Sequence, residues 1–144
     1  MAFIPSNKSD LQTAINAWIA DESSTTATYG DINTWNTSLI TDMSDLFRNK
    51  TSFNGNIINW DVSNVTDMHR MFSGAHSFDQ PIDNWDTSKV TNMYYMFRDA
   101  RSFNQDINNW NVSNVTTMWA MFGGAYNFNQ SLNSWDVSKV TNMG

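Results

Sequence analysis

The stretch WDVSNVTDMHRMFSGAHSFDQPIDN occupies residues 60 to 84, and the chain then begins the same pattern again with WDTSKVTNMYYMF. Tryptophan recurs at an unbroken spacing of 25 residues, at Trp35, Trp60, Trp85, Trp110 and Trp135. A register this strict is typical of a solenoid, in which each repeat buries its apolar face only against its neighbours. The stretch therefore predicts a single stack of 25-residue units.

Six further apolar columns keep step with the tryptophans, and in the unit that follows residue 85 they are Val90, Met93, Met96, Phe97, Phe103 and Ile107. The first four of these have the spacing of one face of a short helix, and Thr91 is placed to act as its N-cap. Trp85 and Thr87 alternate with Asp86 as in a short extended segment. We therefore expect an α/β solenoid of short parallel strands and short helices. It should curve, because a helix needs about 10 Å of lateral room and a strand only about 4.8 Å.

The first 34 residues do not follow the repeat. Ser9 and Asp10 precede an apolar stripe typical of an amphipathic helix of about ten residues, formed by Leu11, Ile15, Trp18 and Ile19. Such a helix can cover the first unit and protect its edge. We expect an N-terminal cap over residues 1–34 and a repeat region over residues 35–144, the last unit of which is incomplete.

Composition excludes several classes of function. The 144-residue chain has 8 Lys and Arg against 14 Asp and Glu, a formal net charge of −6, and an acidic surface disfavours nucleic acid. The absence of cysteine excludes disulfides, thiol catalysis and thiolate metal sites. No stretch approaches the roughly 18 apolar residues of a membrane span, and the N-terminus does not have the pattern of a signal peptide. We expect no membrane insertion and no cofactor.

The unit W-[DN]-[VT]-S-x-[VI]-T-x-M-x-x-[ML]-F resembles the BspA-like leucine-rich-repeat family, and more narrowly its 25-residue branch in bacterial surface proteins and mycoplasma-type lipoproteins. The resemblance covers Trp35 to Gly144, and the lead-in LQTAINAWIAD is similar to that branch's N-terminal cap. It implies a curved α/β solenoid that is secreted or at the cell surface and acts in adhesion or protein recognition, without catalysis. Val65 stands where that family places a buried Asn, so we expect Ser63 and Thr66 to supply the hydrogen bonds instead.

Few residues are candidates for chemistry. His69 and His76 are the only histidines, and no spacing requires further ligands to converge on them, so we expect no metal site. No arrangement typical of an enzyme is present, and we expect none. The Asn, Asp and Gln residues at 54–56, 79–80, 104–106 and 129–130 could bind calcium, but a ladder of amides bonded from unit to unit is the simpler interpretation.

Two columns do not repeat and are therefore informative. One holds the pairs Ser44-Asp45, His69-Arg70, Tyr94-Tyr95 and Trp119-Ala120, and the other holds Thr51, His76, Arg101 and Tyr126. Exposed Tyr, Trp and Arg are the residues on which binding surfaces depend. We predict a contact surface for a protein or cell-surface ligand around Tyr94, Tyr95, Trp119, Arg101 and Tyr126, with His69, Arg70 and His76 beside it. Unconstrained outer positions are the alternative interpretation.

These observations favour a non-enzymatic protein of recognition or adhesion. The alternative function is structural: Trp135, Val140 and Met143 lie in a unit without a successor, so chains could dimerise or stack end to end as homo-oligomers. A third hypothesis, ice binding through the threonine column, is weaker because those threonines are expected to cap helices.

Overall fold

A computed structural model describes all residues from 1 to 144. Two α-helices and a short 3-10 helix precede the first tryptophan: α1 spans Lys8–Ala20, α2 spans Glu22–Tyr29, and the 3-10 turn spans Ile32–Thr34. The side chain of Asn7 caps α1 by accepting a bond from the N–H of Asp10, and Asp21 caps α2 in the same way. α1 therefore occupies the place where the amphipathic helix was predicted.

The prediction of an α/β leucine-rich-repeat solenoid is wrong. From Trp35 onward the chain forms turns and bends, with no helix and no strand. The units are joined by isolated parallel bridges, which link Asp42 to Asp67, Asp67 to Asn92, Asn92 to Thr117, and Thr117 to Asn142. The expected curvature loses its basis, because no helix is present to widen one side of the stack.

The segments predicted to be helices are ribbons of tight turns, which we call turn ribbons: residues 43–50, 68–75, 93–100 and 118–125. Alternate N–H groups of a ribbon donate to carbonyls of the next unit over 2.7 to 3.0 Å; in the third ribbon Met93, Tyr95, Phe97 and Asp99 bond to Thr117, Trp119, Met121 and Gly123. The residues between them close turns within the unit, as Arg98 does to Tyr95. An α-helix would use all these donors internally, so bonding to the neighbouring unit excludes it.

Each ribbon also contains two residues with left-handed backbone, four positions apart. Their φ angles lie between 44° and 72°, at Asp45 and Asn49, Arg70 and Gly74, Tyr95 and Asp99, and Ala120 and Gly124. A right-handed helix cannot contain such residues. The threonine column consequently has no helix to cap: the hydroxyl of Thr91 donates to the carbonyl of Thr66 in the preceding unit over 3.3 Å.

The core is built of side chains stacked in register. The phenyl rings of Phe47, Phe72, Phe97 and Phe122 lie 5.3 to 5.7 Å apart and within 5° of parallel. Each later tryptophan donates its indole N–H to the carbonyl 28 residues earlier in the chain, as Trp110 does to Ile82 over 2.9 Å. Each indole thus adds to the bonding between units that the ribbon backbones provide. The Thr66 column contributes to it, whereas the Ser63 hydroxyl bonds to Asp61 of its own unit.

α1 covers the first unit with apolar and polar contacts. Leu11, Ala14 and Ile15 are buried, and the amide of Gln12 donates to the carbonyl of Leu46 over 3.0 Å. The equivalent carbonyl in the next unit, that of Met71, accepts instead from a backbone N–H of the unit before it. Gln12 therefore supplies the donor that a preceding unit would otherwise supply.

Candidate recognition surface

The first of the two variable columns lies along the turn ribbons. Tyr94 and Tyr95 are both half-buried, and their ring centroids are 4.0 Å apart. Tyr95 is one of the left-handed residues of its ribbon, with φ of 55°. Because successive ribbons bond in register, this pair follows His69 and Arg70 and precedes Trp119 along the stack.

Two guanidinium groups lie over the tyrosine pair. The Cζ atom of Arg70 is 5.6 Å from the Tyr94 centroid and 6.0 Å from that of Tyr95, and the Cζ atom of Arg98 is 4.7 Å from the Tyr95 centroid. These distances are those of cation–π contacts. Sequence reasoning included Arg70 but missed Arg98, although the column that holds it also varies, with Arg48, Ser73 and Gly123 as its counterparts.

The two phenols have different acidities. The neighbouring Tyr95 hydroxyl raises the pKa of Tyr94. Hydrogen bonding from Tyr94 and then from Trp119 lowers the pKa of Tyr95, and the charges of Arg98 and Arg70 act in the same direction. Trp119, which is 40% exposed, follows the pair in the next unit, where its carbonyl accepts from the N–H of Tyr95 over 3.0 Å. We name Arg70, Tyr94, Tyr95, Arg98 and Trp119 the aromatic–arginine cluster.

His69 belongs to a separate polar group. Its Nδ1 lies 3.0 Å from a carboxylate oxygen of Asp67, and its Nε2 lies 3.5 Å from one of Asp45. Asp45 also pairs with Arg48 over 3.6 Å. No set of three or more His, Asp or Glu side chains is arranged to hold a metal ion.

The second variable column does not join the cluster. Arg101 is exposed and Tyr126 is 81% exposed, and neither contributes to the ring and cation–π contacts of the tyrosine pair. His76 is half-buried, and its carbonyl accepts from the N–H of Ser102. The structure therefore brings together only part of the predicted contact surface.

The polar run forms a ladder from unit to unit. The side-chain oxygen of Asn54 accepts from the N–H of Asp79 over 2.9 Å, Asp79 accepts likewise from Asn104, and Asn104 accepts from Asn129. The amides of Gln80, Gln105 and Gln130 add further bonds to the same oxygens. Each of the three oxygens is thus occupied by two donors, an arrangement for stacking the units.

An apolar depression lies at the C-terminal end of the stack. Its volume is about 510 Å³, and Trp135 and Met143 line it together with Met118, Met121, Phe122 and Leu132. Met143 is 52% exposed, whereas Val140 is half-buried and lies outside the lining. Three backbone N–H groups of the fourth ribbon form no hydrogen bond here, those of Ala120, Phe122 and Gly124.

Units of 25 residues bonded in register define a tandem-repeat protein. The chain belongs to the family described as "Mycoplasma protein of unknown function, DUF285", whose model matches residues 13–118 and 85–144. No curated protein and no solved structure matches the chain. None of its helices has the length and apolar character needed to cross a membrane.

Proposed function

We propose that this protein is a non-enzymatic recognition module that contacts a protein or cell-surface ligand through the aromatic–arginine cluster. The observation that carries the proposal is the contact of Tyr94 and Tyr95 with two guanidinium groups, with the exposed Trp119 in the next unit, at positions that the repeat leaves free. Tyrosine, tryptophan and arginine contribute most of the binding energy at protein interfaces. The other aromatic columns are stacked inside the core.

Two further observations support a location at the cell surface or outside the cell. The chain belongs to a Mycoplasma family, and its repeat pattern resembles that of BspA-like surface proteins. Its net charge of −6 disfavours nucleic acid as the partner. A role in adhesion or protein recognition is consistent with both.

The test is binding of the fluorescently labelled chain to intact cells and to immobilised cell-surface proteins. Tyr94→Ala and Trp119→Ala should each weaken binding by about tenfold or more, the effect of removing an interface hot spot. Tyr126→Ala is the matched control, because that ring is exposed but stands outside the cluster. Unchanged binding of both cluster variants would contradict the proposal.

Self-association is the second candidate, and the N–H groups of Ala120, Phe122 and Gly124, which form no hydrogen bond, favour it. These N–H groups and the apolar depression beside them fit another unit that presents backbone carbonyls. Two such ends placed face to face would instead oppose donors with donors, so head-to-tail addition is the favoured geometry. Sedimentation over a concentration range decides this, since a monomer throughout removes the candidate.

A further inference from the structure

We propose that Arg70 is a receptor for a carboxylate, so that the partner bound at the aromatic–arginine cluster presents an acidic peptide segment. This inference rests on the proposed recognition function and names the chemistry of its ligand. Its basis is an arginine held in place by aromatic rings, without a carboxylate partner, on a protein whose acids outnumber its bases by 14 to 8.

The carboxylates around Arg70 are already engaged elsewhere. Asp45 pairs with Arg48 and with His69, and Asp67 pairs with His69. Arg98, the other guanidinium of the cluster, pairs with Asp99 over 3.7 Å. No acidic side chain lies within the 4.0 Å ion-pair distance of Arg70. Arg70 therefore contacts two ring faces but forms no ion pair.

Stacking prepares this guanidinium for a planar anion. A guanidinium has five N–H donors in a fixed fork, and a carboxylate can accept two of them in parallel. Contact with the faces of Tyr94 and Tyr95 restricts the side chain before a ligand arrives, so less rotamer entropy is lost on binding. A lysine at this position would offer a point charge without the fork.

The surroundings favour an acidic residue with an apolar or aromatic neighbour. Trp119, which follows the tyrosine pair in the next unit, is 40% exposed and so offers apolar surface to such a side chain. Arg98 adds a second positive charge 4.7 Å from the Tyr95 ring. The net charge of −6 repels an acidic partner at long range, but the Debye length is about 8 Å at physiological ionic strength. The local charges of Arg70 and Arg98 therefore outweigh the net charge once an acidic segment is in contact.

An array of short peptides tests the inference, each with one aromatic residue flanked by Asp or Glu, beside a matched array with Asn or Gln. The full chain should bind acidic peptides at least about tenfold more tightly than their amide counterparts. Arg70→Gln should remove that preference, and Arg70→Lys should retain only part of it. Arg101→Gln, at an exposed arginine outside the cluster, should change affinity less than about twofold. Unfolding midpoints of all variants establish that each is folded.

Equal binding of amide peptides, an unaffected Arg70→Gln variant or the absence of any peptide binding would overturn the inference. Preference for sialylated or sulfated glycans in a parallel array would overturn it too, because the partner would not be a peptide. If cell binding is lost in Tyr94→Ala and Trp119→Ala but not in Arg70→Gln, the recognition function stands and only the carboxylate inference fails. Cell binding that survives all three substitutions removes the recognition function itself.

Discussion

At the scale of single residues, the contact with the cap requires glycine at position 55. The counterparts of Gly55 in later units are Gln80, Gln105 and Gln130, but a Cβ atom at residue 55 would lie 2.8 Å from Phe53 and 2.9 Å from Trp18. We predict that Gly55→Gln lowers the free energy of unfolding by about 1 to 3 kcal/mol, because the two rings must move apart. Urea unfolding at neutral pH measures it.

Gly123→Ala is the control for this substitution. A Cβ atom there comes no closer than 3.4 Å to another atom, and the backbone is not left-handed, so the change should stay within about 0.5 kcal/mol. Equal unfolding midpoints for the Gly55→Gln variant and the unaltered chain would show that Trp18 can yield without cost.

Ala120 is a residue at which the fold accepts backbone strain. Its φ is 44°, a conformation that costs a residue with a Cβ atom about 1 kcal/mol or more and costs glycine little. Ala120→Gly should therefore leave stability unchanged or raise it by up to about 1 kcal/mol, against the usual effect of glycine. The comparison is Ala125→Gly, a buried residue without positive φ, which should destabilise. A similar loss in both variants, measured by thermal unfolding, would contradict the assignment.

At the scale of elements, the sequence predicts which residues are buried better than it predicts the backbone that buries them. Apolar residues at i, i+3 and i+4, such as Met93, Met96 and Phe97, all lie in the core. The same spacing suits a helix and a ribbon of turns. What distinguishes the two is whether N–H groups bond within the unit or to the next one, and side-chain spacing carries no information on that.

The candidate site was predictable to a similar degree. Tyr94, Tyr95 and Trp119 were predicted because their column does not repeat. A position that takes no part in the core or the polar ladder can vary from unit to unit. Which of the variable residues touch one another was not predictable. The contact of Arg98 with Tyr95, for example, depends on side-chain directions within a ribbon that contains left-handed residues. No local pattern in the sequence announces those residues, since most of them are not glycine.

The cap is joined to the first unit by a charged contact that should make stability depend on pH. Burial raises the pKa of Asp42, but bonds from Ser44 and the charge of Lys8, whose Nζ is 3.4 Å away, together lower it below its usual 3.8. A lowered folded-state pKa stabilises the fold above the unfolded-state value, and that contribution is lost as the pH falls through the folded-state value.

We therefore predict that Asp42→Asn reduces stability at pH 7 and makes the remaining stability less sensitive to acid below about pH 4. Urea unfolding at a series of pH values measures both effects. Asp83→Asn is the control, because Asp83 is exposed, lies outside the helices and forms no ion pair. An acid sensitivity that Asp42→Asn leaves unaltered would show that the contact between the cap and the first unit does not contribute.

At the scale of the whole molecule, the N–H groups of the turn ribbons that bond between units all donate in one direction along the stack. Each ribbon presents N–H donors toward the C-terminal side and carbonyls toward the N-terminal side. Through Gln12 the cap donates to one carbonyl of the first ribbon, that of Leu46, whereas three N–H groups of the fourth ribbon, those of Ala120, Phe122 and Gly124, have no acceptor. Donors that bond to the next unit should be better protected from exchange with solvent than donors that do not.

Hydrogen exchange tests this difference in protection residue by residue. The N–H groups of Ala120 and Phe122 should exchange much faster than those of Tyr95 and Phe97, which hold the same positions one unit earlier and bond to Trp119 and Met121. If chains add head to tail, the protection of Ala120 and Phe122 should rise with protein concentration while that of Tyr95 stays constant. Equal protection of both pairs in dilute solution would contradict this expectation, because it would mean that Ala120 and Phe122 already have acceptors.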